Sequence, residues 1–322
     1  IMTEKVYNQQ VLRMLQYQAY AQSYSDSLTY TDAELEAAYQ ADPKTYDKAA
    51  WEYVVVSGAA DSTTDADGNT VQATDEEQAA AKEAAKATAE EMAAYNSGKS
   101  LESIAGNYEK ATYYNTTDAT YYDGVVGNWL FDDARKDGDT EILEVGTNYY
   151  VGLFHSRGRE EYKTVDIRHI LITPETGTKA QGDEGYEDEQ TQLKAAARTK
   201  AEEILAQWKS GEATEDSFAQ LALENSADGS KYDGGLYTRV TKGWAVEEFN
   251  DWSFDASRKD GDTGIVDTTY GSHVMYFVGY DLPAWAASVT SDLQEKAASE
   301  WSTALSENAD VQQSDFGMKF VG

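Results

Sequence analysis

"WLFDDARKDGDTEILEV" at residues 129–145 and "WSFDASRKDGDTGIVDT" at 252–268 are one cassette written twice. Sliding the chain on itself by 123 positions aligns Phe131–Phe154 with Phe254–Phe277 without a gap, and eleven of the twenty-four pairs are identical. In both copies an aromatic cluster runs through an Asp-Gly turn signal into an apolar, strand-like segment. Working upstream, "AEEMAAYNSG" (89–98) resembles "AEEILAQWKSG" (201–211), each a helical segment running into a Ser-Gly stop. A short β-branched run precedes each helix, "WEYVVVS" at 51–57 and "DIRHILIT" at 166–173. Each copy therefore reads strand, long helix, further helical turns, then paired strands about a Gly-containing turn. A period of roughly 110–120 residues is too long for a solenoid, whose units are ~20–50 residues. The chain is predicted to be α+β, with two tandem domains at 50–160 and 163–282.

Helical segments flank the copies. Thr31-x-x-Glu34 is a capping box ahead of a helix, and residues 5–24 are rich in Leu, Tyr and Gln at helical spacing. Near the other end Trp285, Val289, Leu293, Ala297, Trp301 and Leu305 recur every four residues, which places one apolar stripe on a helix. Segments 1–49 and 283–322 are expected to form one helical module, the stripe packing on the N-terminal helices or leaving part of itself as a groove for unfolded clients.

Composition excludes several classes. A formal net charge of −32 repels nucleic acid and anionic membrane surfaces. Hydrophobic residues are 41% of the chain, enough for packed cores, so the acidity belongs to a solvated surface. With no cysteine there are no disulfides, thiolate nucleophiles or Cys-based zinc sites, which fits an exported protein that makes no use of disulfides. No apolar run reaches 18 residues, and "IMTEKVYNQQ" is not a signal peptide, so any signal segment is expected to lie outside this chain. The acidic stretch "DSTTDADGNT" (61–70) fails as a calcium loop: placing Gly68 sixth puts Thr63 first and Thr74 twelfth, where a bidentate Glu belongs. It reads as an exposed Asp-Gly turn, and neither metal nor cofactor is expected.

Without cysteine, the side chains that titrate near neutrality are His155, His169 and His273. His169 lies inside the first strand of the second copy and His273 opens its last, so the two meet if those strands are neighbours. The blocks "RHILI" (168–172), "EDSFAQLALENSAD" (215–228), "GG" (234–235), "GWAVEEF" (243–249), "GDTGIV" (261–266) and "YGSHVMYF" (270–277) occur in the order found in parvulins. Residues 163–282 resemble that family of peptidyl-prolyl cis/trans isomerases.

The resemblance implies a small antiparallel sheet with surrounding helices and a non-covalent isomerase. On it His169 and His273 are the paired active-site histidines, Asp228 stands where members carry Cys or Asp, and Phe249 walls the proline pocket. Thr268 and Tyr270 fall at hydroxyl positions around the histidines. The family's pocket Met falls on Ala245, which leaves a shallower site unless Trp244 or Val246 fills it, and Leu236 follows Gly235 where an Asp is usual. The polar loop 173–192 offers Lys179 as its only cation, so no phosphopeptide requirement is expected. In the first copy Tyr150 and Tyr53 take the places of His273 and His169. That copy is also 11 residues shorter between helix and cassette, the difference between offsets of 112 and 123, so it is expected to be silent. His155 is read as incidental. The whole arrangement resembles exported bacterial foldases and periplasmic chaperones. It implies unfolded or proline-containing polypeptide clients and an extracytoplasmic location, with a lipid anchor upstream of Ile1 among the expectations. A holdase with inactive parvulin domains and an envelope binding scaffold are the alternatives.

Overall fold

The strand-forming runs carry apolar residues toward both faces, so each sheet needs a covering layer on either side. The computed structural model describes residues 3–94 and 100–308. The described residues up to Glu160, with those from Leu293 onward, form a first unit, and Glu161–Asp292 form a second. The first opens with helices α1 (Glu4–Ser27), α2 (Asp32–Ala41) and α3 (Pro43–Tyr46) and strand β1 (Lys48–Val56). A short hairpin, β2 (Thr63–Thr64) and β3 (Thr70–Val71), precedes α4 (Asp75–Ala93), α5 (Leu101–Ala105), β4 (Ala111–Ala119), α6 (Val125–Leu130), β5 (Thr140–Val145) and β6 (Asn148–Gly158). The second runs β7 (Lys163–Ile172), α7 (Tyr186–Ser210), α8 (Glu215–Asn225), a 3-10 turn (Gly229–Asp233), β8 (Leu236–Val240), α9 (Glu247–Ser253), β9 (Thr263–Thr268) and β10 (Gly271–Pro283). Helix α10 (Ala284–Asn308) closes the described chain.

The two four-stranded antiparallel sheets have orders β4-β1-β6-β5 and β8-β7-β10-β9. Strand for strand these are the same order. In the first unit Val54, Val56 and Val151 pack on Ala85, Ala89 and Met92 of α4 and Ile104 of α5, while Trp51 and Phe154 pack on α6 through Val126, Trp129 and Leu130. In the second, Ile170 and Val274 face Ala201 and Ile204 of α7 and Phe218 of α8, while Ile167, Met275 and Phe277 face Phe249 of α9. Side-chain volume is redistributed between the two: a Cβ on Gly152 would lie 3.2 Å from the rings of Trp51 and Trp129, so this glycine makes room for two indoles where the second unit carries Ile167 and Met275.

The duplicated cassette folds to one geometry. Gly138 and Gly261 both sit at φ +86°, the left-handed conformation that selects glycine in the Asp-Gly turn. Gly138 donates to the Phe154 carbonyl (2.9 Å) and Gly261 to that of Phe277 (2.8 Å), and the same phenylalanines donate back to Asp139 and Asp262. The Asp139 carboxylate accepts from the Lys136 N–H (2.9 Å) and that of Asp262 from Lys259 (3.0 Å). Arg135 lies 4.8 Å from the Trp129 ring and Arg258 4.2 Å from Trp252, cation–π contacts worth ~0.5–2 kcal/mol each. The cassette is a turn with its own clamp.

The helical expectations hold at their caps. Thr31–Glu34 forms its capping box, and Thr74–Glu77 and Thr214–Ser217 form two more. Helix α7 ends at Gly211, whereas the expected Ser97-Gly98 stop lies outside the described residues. At 61–70 Asp65 Oδ1 accepts the N–H groups of Asp67 and Asn69 around Gly68 at φ +84°, the expected turn. The polar stretch 173–192 departs from its reading as a loop throughout. Its helix starts at Tyr186, and Glu189 reaches back to accept from the N–H and Oγ1 of Thr178 and the N–H of Lys179. In the first unit the Trp301 ring of α10 stands 5.9, 5.4 and 5.3 Å from Tyr17, Tyr20 and Tyr24 of α1, and the Tyr17 hydroxyl is 2.8 Å from Ser302 Oγ. Helix α1 nevertheless buries none of its residues, and it exposes Val6, Leu12, Met14 and Leu15. Among the described residues no helix is long and apolar enough to cross a membrane.

Candidate active site

Strand pairing places the two histidines together. His273 of β10 pairs with Leu171 of β7, and His169 lies two residues before Leu171, so the imidazoles are diagonal neighbours on the α9 face. Their Nδ1 atoms are 3.0 Å apart and the rings stack at 5.3 Å with 18° between planes. Both are buried, at 3% and 5% exposure. Behind His273, Nε2 lies 2.9 Å from Thr268 Oγ1, which also accepts the Tyr270 N–H at 3.1 Å. Beyond His169, Nε2 lies 3.4 Å from both Asp228 Oδ1 and Ser230 Oγ. Asp228 Oδ1 accepts from the Ser230 hydroxyl (2.6 Å), the Ser230 N–H (2.8 Å) and the Tyr237 hydroxyl (2.9 Å).

The carboxylate orients the whole chain of contacts. Burial raises the pKa of Asp228, but the hydroxyl and N–H of Ser230, the Tyr237 hydroxyl and His169 outweigh it and bring it down to about 2. An ionised Asp228 only accepts, so His169 carries its proton on Nε2 and leaves Nδ1 as an acceptor. His273 then donates from Nδ1 and accepts at Nε2 from the Thr268 hydroxyl. Both rings are neutral near pH 7. Burial lowers the His169 pKa against the pull of Asp228, and burial and then His169 lower that of His273 to about 4.

The sequence profile of the PPIC-type PPIase domain matches residues 151–278, starting within β6 and ending within β10. Residues 151–278 carry a PPIC-type PPIase domain. The chain is 29% identical over 142 residues to a foldase protein PrsA 1 of Listeria innocua, which spans 42% of this chain and 39% of that protein. Among solved structures, PrsA from Bacillus subtilis is 23% identical with a TM-score of 0.31, covering 47% of this chain and 52% of its own. NmPin, the parvulin of Nitrosopumilus maritimus, is 25% identical with a TM-score of 0.25, covering 37% of this chain and 98% of its own. The profile match covers 128 of the 322 residues, and the chain spans well under half the length of its relative in Listeria.

In the PPIase domain Phe249 stands edge-on to both imidazoles, 5.4 Å from each at 86° and 80°. Ala245 and Val246 pack partly buried against the same cluster. Trp244 is half exposed and lies 4.7 Å from the Tyr237 ring and 6.3 Å from Phe249, so an indole stands beside the small Ala245. Tyr270 contributes its backbone N–H, and the residue is 64% exposed. Tyr237 and Ser230 escaped sequence reasoning. Tyr237 adds a ring 5.4 Å from His169 and the hydroxyl on Asp228, and the only signal for either residue was its nearness to Gly234-Gly235.

The corresponding face of the first unit is aromatic. Tyr150 pairs with Val55, and Tyr53 lies two residues before Val55, the same diagonal as the histidines. The Tyr53 ring stacks on Trp51 (4.0 Å), Tyr114 (5.0 Å) and Tyr150 (5.7 Å), and Val126 of α6 belongs to the core beneath this row. Helix α5 has 5 residues where α8 has 11, and the connection into β4 is 106–110 against 226–235 into β8. His155 Nε2 lies 2.9 Å from Glu52 Oε1, away from this row.

The depressed pKa values fix a pH dependence. An unfolded imidazole takes its proton near pH 6.5, whereas folded His273 takes it at about 4, so between these values the unfolded chain binds more protons. Stability contributed by His273 is complete above pH 6.5 and is lost as pH falls through about 4; Asp228 continues the loss from 3.8 toward about 2. Thermal melts from pH 8 to 4 are expected to fall below pH 6.5, and to fall less in a His273→Gln variant. Equal slopes in both proteins would contradict the assignment.

Proposed function

We propose that the second unit catalyses cis/trans isomerisation of X-Pro bonds in unfolded polypeptide clients, without a covalent step. The observation that carries this reading is the neutral imidazole pair, closed at one end by ionised Asp228 and walled by Phe249. Rotation about X-Pro crosses ~18–20 kcal/mol set by amide resonance, slow enough to limit folding. Resonance in either planar form places negative charge on the carbonyl oxygen, and twisting returns that charge to a pyramidal nitrogen. A fixed carboxylate beside the carbonyl disfavours the planar forms more than the twisted one, which lowers the barrier. Phe249, Ala245, Val246 and Trp244 grip the ring. His169 and His273 hold Asp228 in place through directional hydrogen bonds, with Thr268 anchoring the far end.

Lys179, the one cation of the 173–192 loop, donates to the Glu184 carbonyl 2.9 Å away, which supports activity on unphosphorylated segments. Exchange NMR on matched X-Pro peptides tests both points. Acceleration of the unphosphorylated peptides is expected; none at all, or a tenfold preference for phosphoserine-Pro, would overturn the corresponding half of the proposal.

The first unit, through residues 50–160, is proposed to be the same fold with its chemistry removed. Shared strand order, the matching diagonal of Tyr53 and Tyr150 and the matching turn hydrogen bonds of the two cassettes support this. The active copy is taken as 163–282, and the flanks as a client-holding module in an extracytoplasmic foldase. Exposed Val6, Leu12, Met14 and Leu15 on α1 favour a second activity, holding clients against aggregation. Suppression of client aggregation is expected to survive loss of both histidines.

A further inference from the structure

We propose that Arg168 is a positioning residue of the PPIase domain, holding the loop that delivers Asp228 and Ser230 to His169; this rests on the isomerase reading. Arg168 immediately precedes His169 on β7, so its side chain leaves the opposite face of the sheet. Its guanidinium makes three directed contacts: Nε to Glu215 Oε1 at the start of α8 (2.9 Å), and Nη1 to the carbonyls of Asp233 (2.9 Å) and Gly234 (3.0 Å). The side chain is 14% exposed.

The loop 226–235 is tied to β7 at both ends. At its start the Leu171 N–H donates to Ser226 Oγ (3.0 Å) and the Ala227 N–H to the Leu171 carbonyl (2.9 Å). At its finish the His169 N–H donates to the Gly235 carbonyl (2.9 Å), beside the Arg168 contacts. Two consecutive left-handed glycines, Gly234 at φ +68° and Gly235 at φ +75°, let the backbone come this close. A Cβ on Gly234 would stand 2.7 Å from Arg168 Nη1. Between these ties hangs the turn whose Asp228 and Ser230 meet His169 Nε2. A planar fork that reaches two carbonyls and a carboxylate at once is a task for Arg rather than Lys.

The first unit supplies an internal comparison. Tyr53 holds the strand position of His169, so Glu52 holds that of Arg168, and its carboxylate is turned to His155 instead. The unit with the short 106–110 connection is the one without the arginine.

The test is a double-mutant cycle in the intact chain, measured by X-Pro exchange. Arg168→Met is expected to lower kcat/KM about tenfold in the parent, with KM little changed, and to have almost no further effect in an Asp228→Ala background. Equal losses in both backgrounds would mark a general structural role and overturn the proposal. The 15N shift of His169 Nε2 is a readout independent of turnover: it is expected to move in Arg168→Met and to move back part of the way in Arg168→Lys. An unmoved shift in a folded Arg168→Met protein also overturns it. Should the parent itself fail to accelerate exchange, the isomerase reading falls, while the imidazole shift still decides whether Arg168 sets the loop. If Arg168→Met does not fold, Arg168→Lys carries the same cycle, with an expected loss of about threefold that vanishes without Asp228.

Discussion

A His169→Ala/His273→Ala variant of the intact chain is expected to lose about 100-fold in kcat/KM toward unphosphorylated X-Pro peptides. Removing both rings strips Asp228 of its imidazole partner and leaves Thr268 facing a cavity. A hydrogen bond to a charged group is worth ~1.5–3 kcal/mol, and every ~1.4 kcal/mol in the barrier is tenfold in rate. The loss should fall mainly on kcat, because Phe249 and Trp244 still bind the ring. Thr268→Val, which removes only the outermost donor, is expected to cost a few-fold. Full activity in the double variant, with its fold verified, would remove the network from the mechanism and leave ring binding as the source of rate.

Gly235→Ala is expected to be more damaging to the second unit than any surface change of equal size. A Cβ there would lie 2.3 Å from the His169 carbonyl oxygen, and its φ of +75° is strained for alanine. The left-handed backbone alone costs ~1–3 kcal/mol, and a clash between backbone atoms adds to it because neither partner can swing away. Gly138→Ala separates the two effects, since nothing lies within 4 Å of its Cβ position at φ +86°. Urea unfolding is expected to show roughly 1 kcal/mol lost for Gly138→Ala and at least twice that for Gly235→Ala, together with a collapse of isomerase activity only in the latter. Similar losses for both would mean that the Gly-Gly loop yields where the structure shows it packed.

Much of this architecture was legible because local chemistry dictates it. The Asp-Gly turns of 136–139 and 259–262 require glycine at a positive φ whatever surrounds them, so identical letters gave identical turns. The Thr31–Glu34 box is likewise complete within four residues. Meeting of His169 with His273 was different: residue spacing left open whether their strands pair, and the parvulin resemblance carried that expectation until β7 and β10 were seen side by side. Tyr237 and Arg168 were not legible at all. Tyr237 reaches Asp228 across a double-glycine reversal, and Arg168 contacts carbonyls, which no side-chain pattern encodes. The start of α7 was misplaced because residues 186–192 are polar throughout, and what fixes the segment is Glu189 folding back on Thr178 and Lys179.

The tyrosine row of the first unit has a practical consequence for spectroscopy. Trp51, Tyr114 and Tyr150 lie within 4.0–5.7 Å of the Tyr53 ring at interplanar angles of 14–17°. Rings held that close and that nearly parallel couple their electronic transitions, giving a near-ultraviolet circular dichroism signal that vanishes when side-chain packing is lost. The second unit adds to this signal through Trp244 and Tyr237, whose rings lie 4.7 Å apart, and reports separately through the imidazole resonances of His169 and His273. The near-ultraviolet signal therefore reports packing in both units, and the imidazole resonances single out the second.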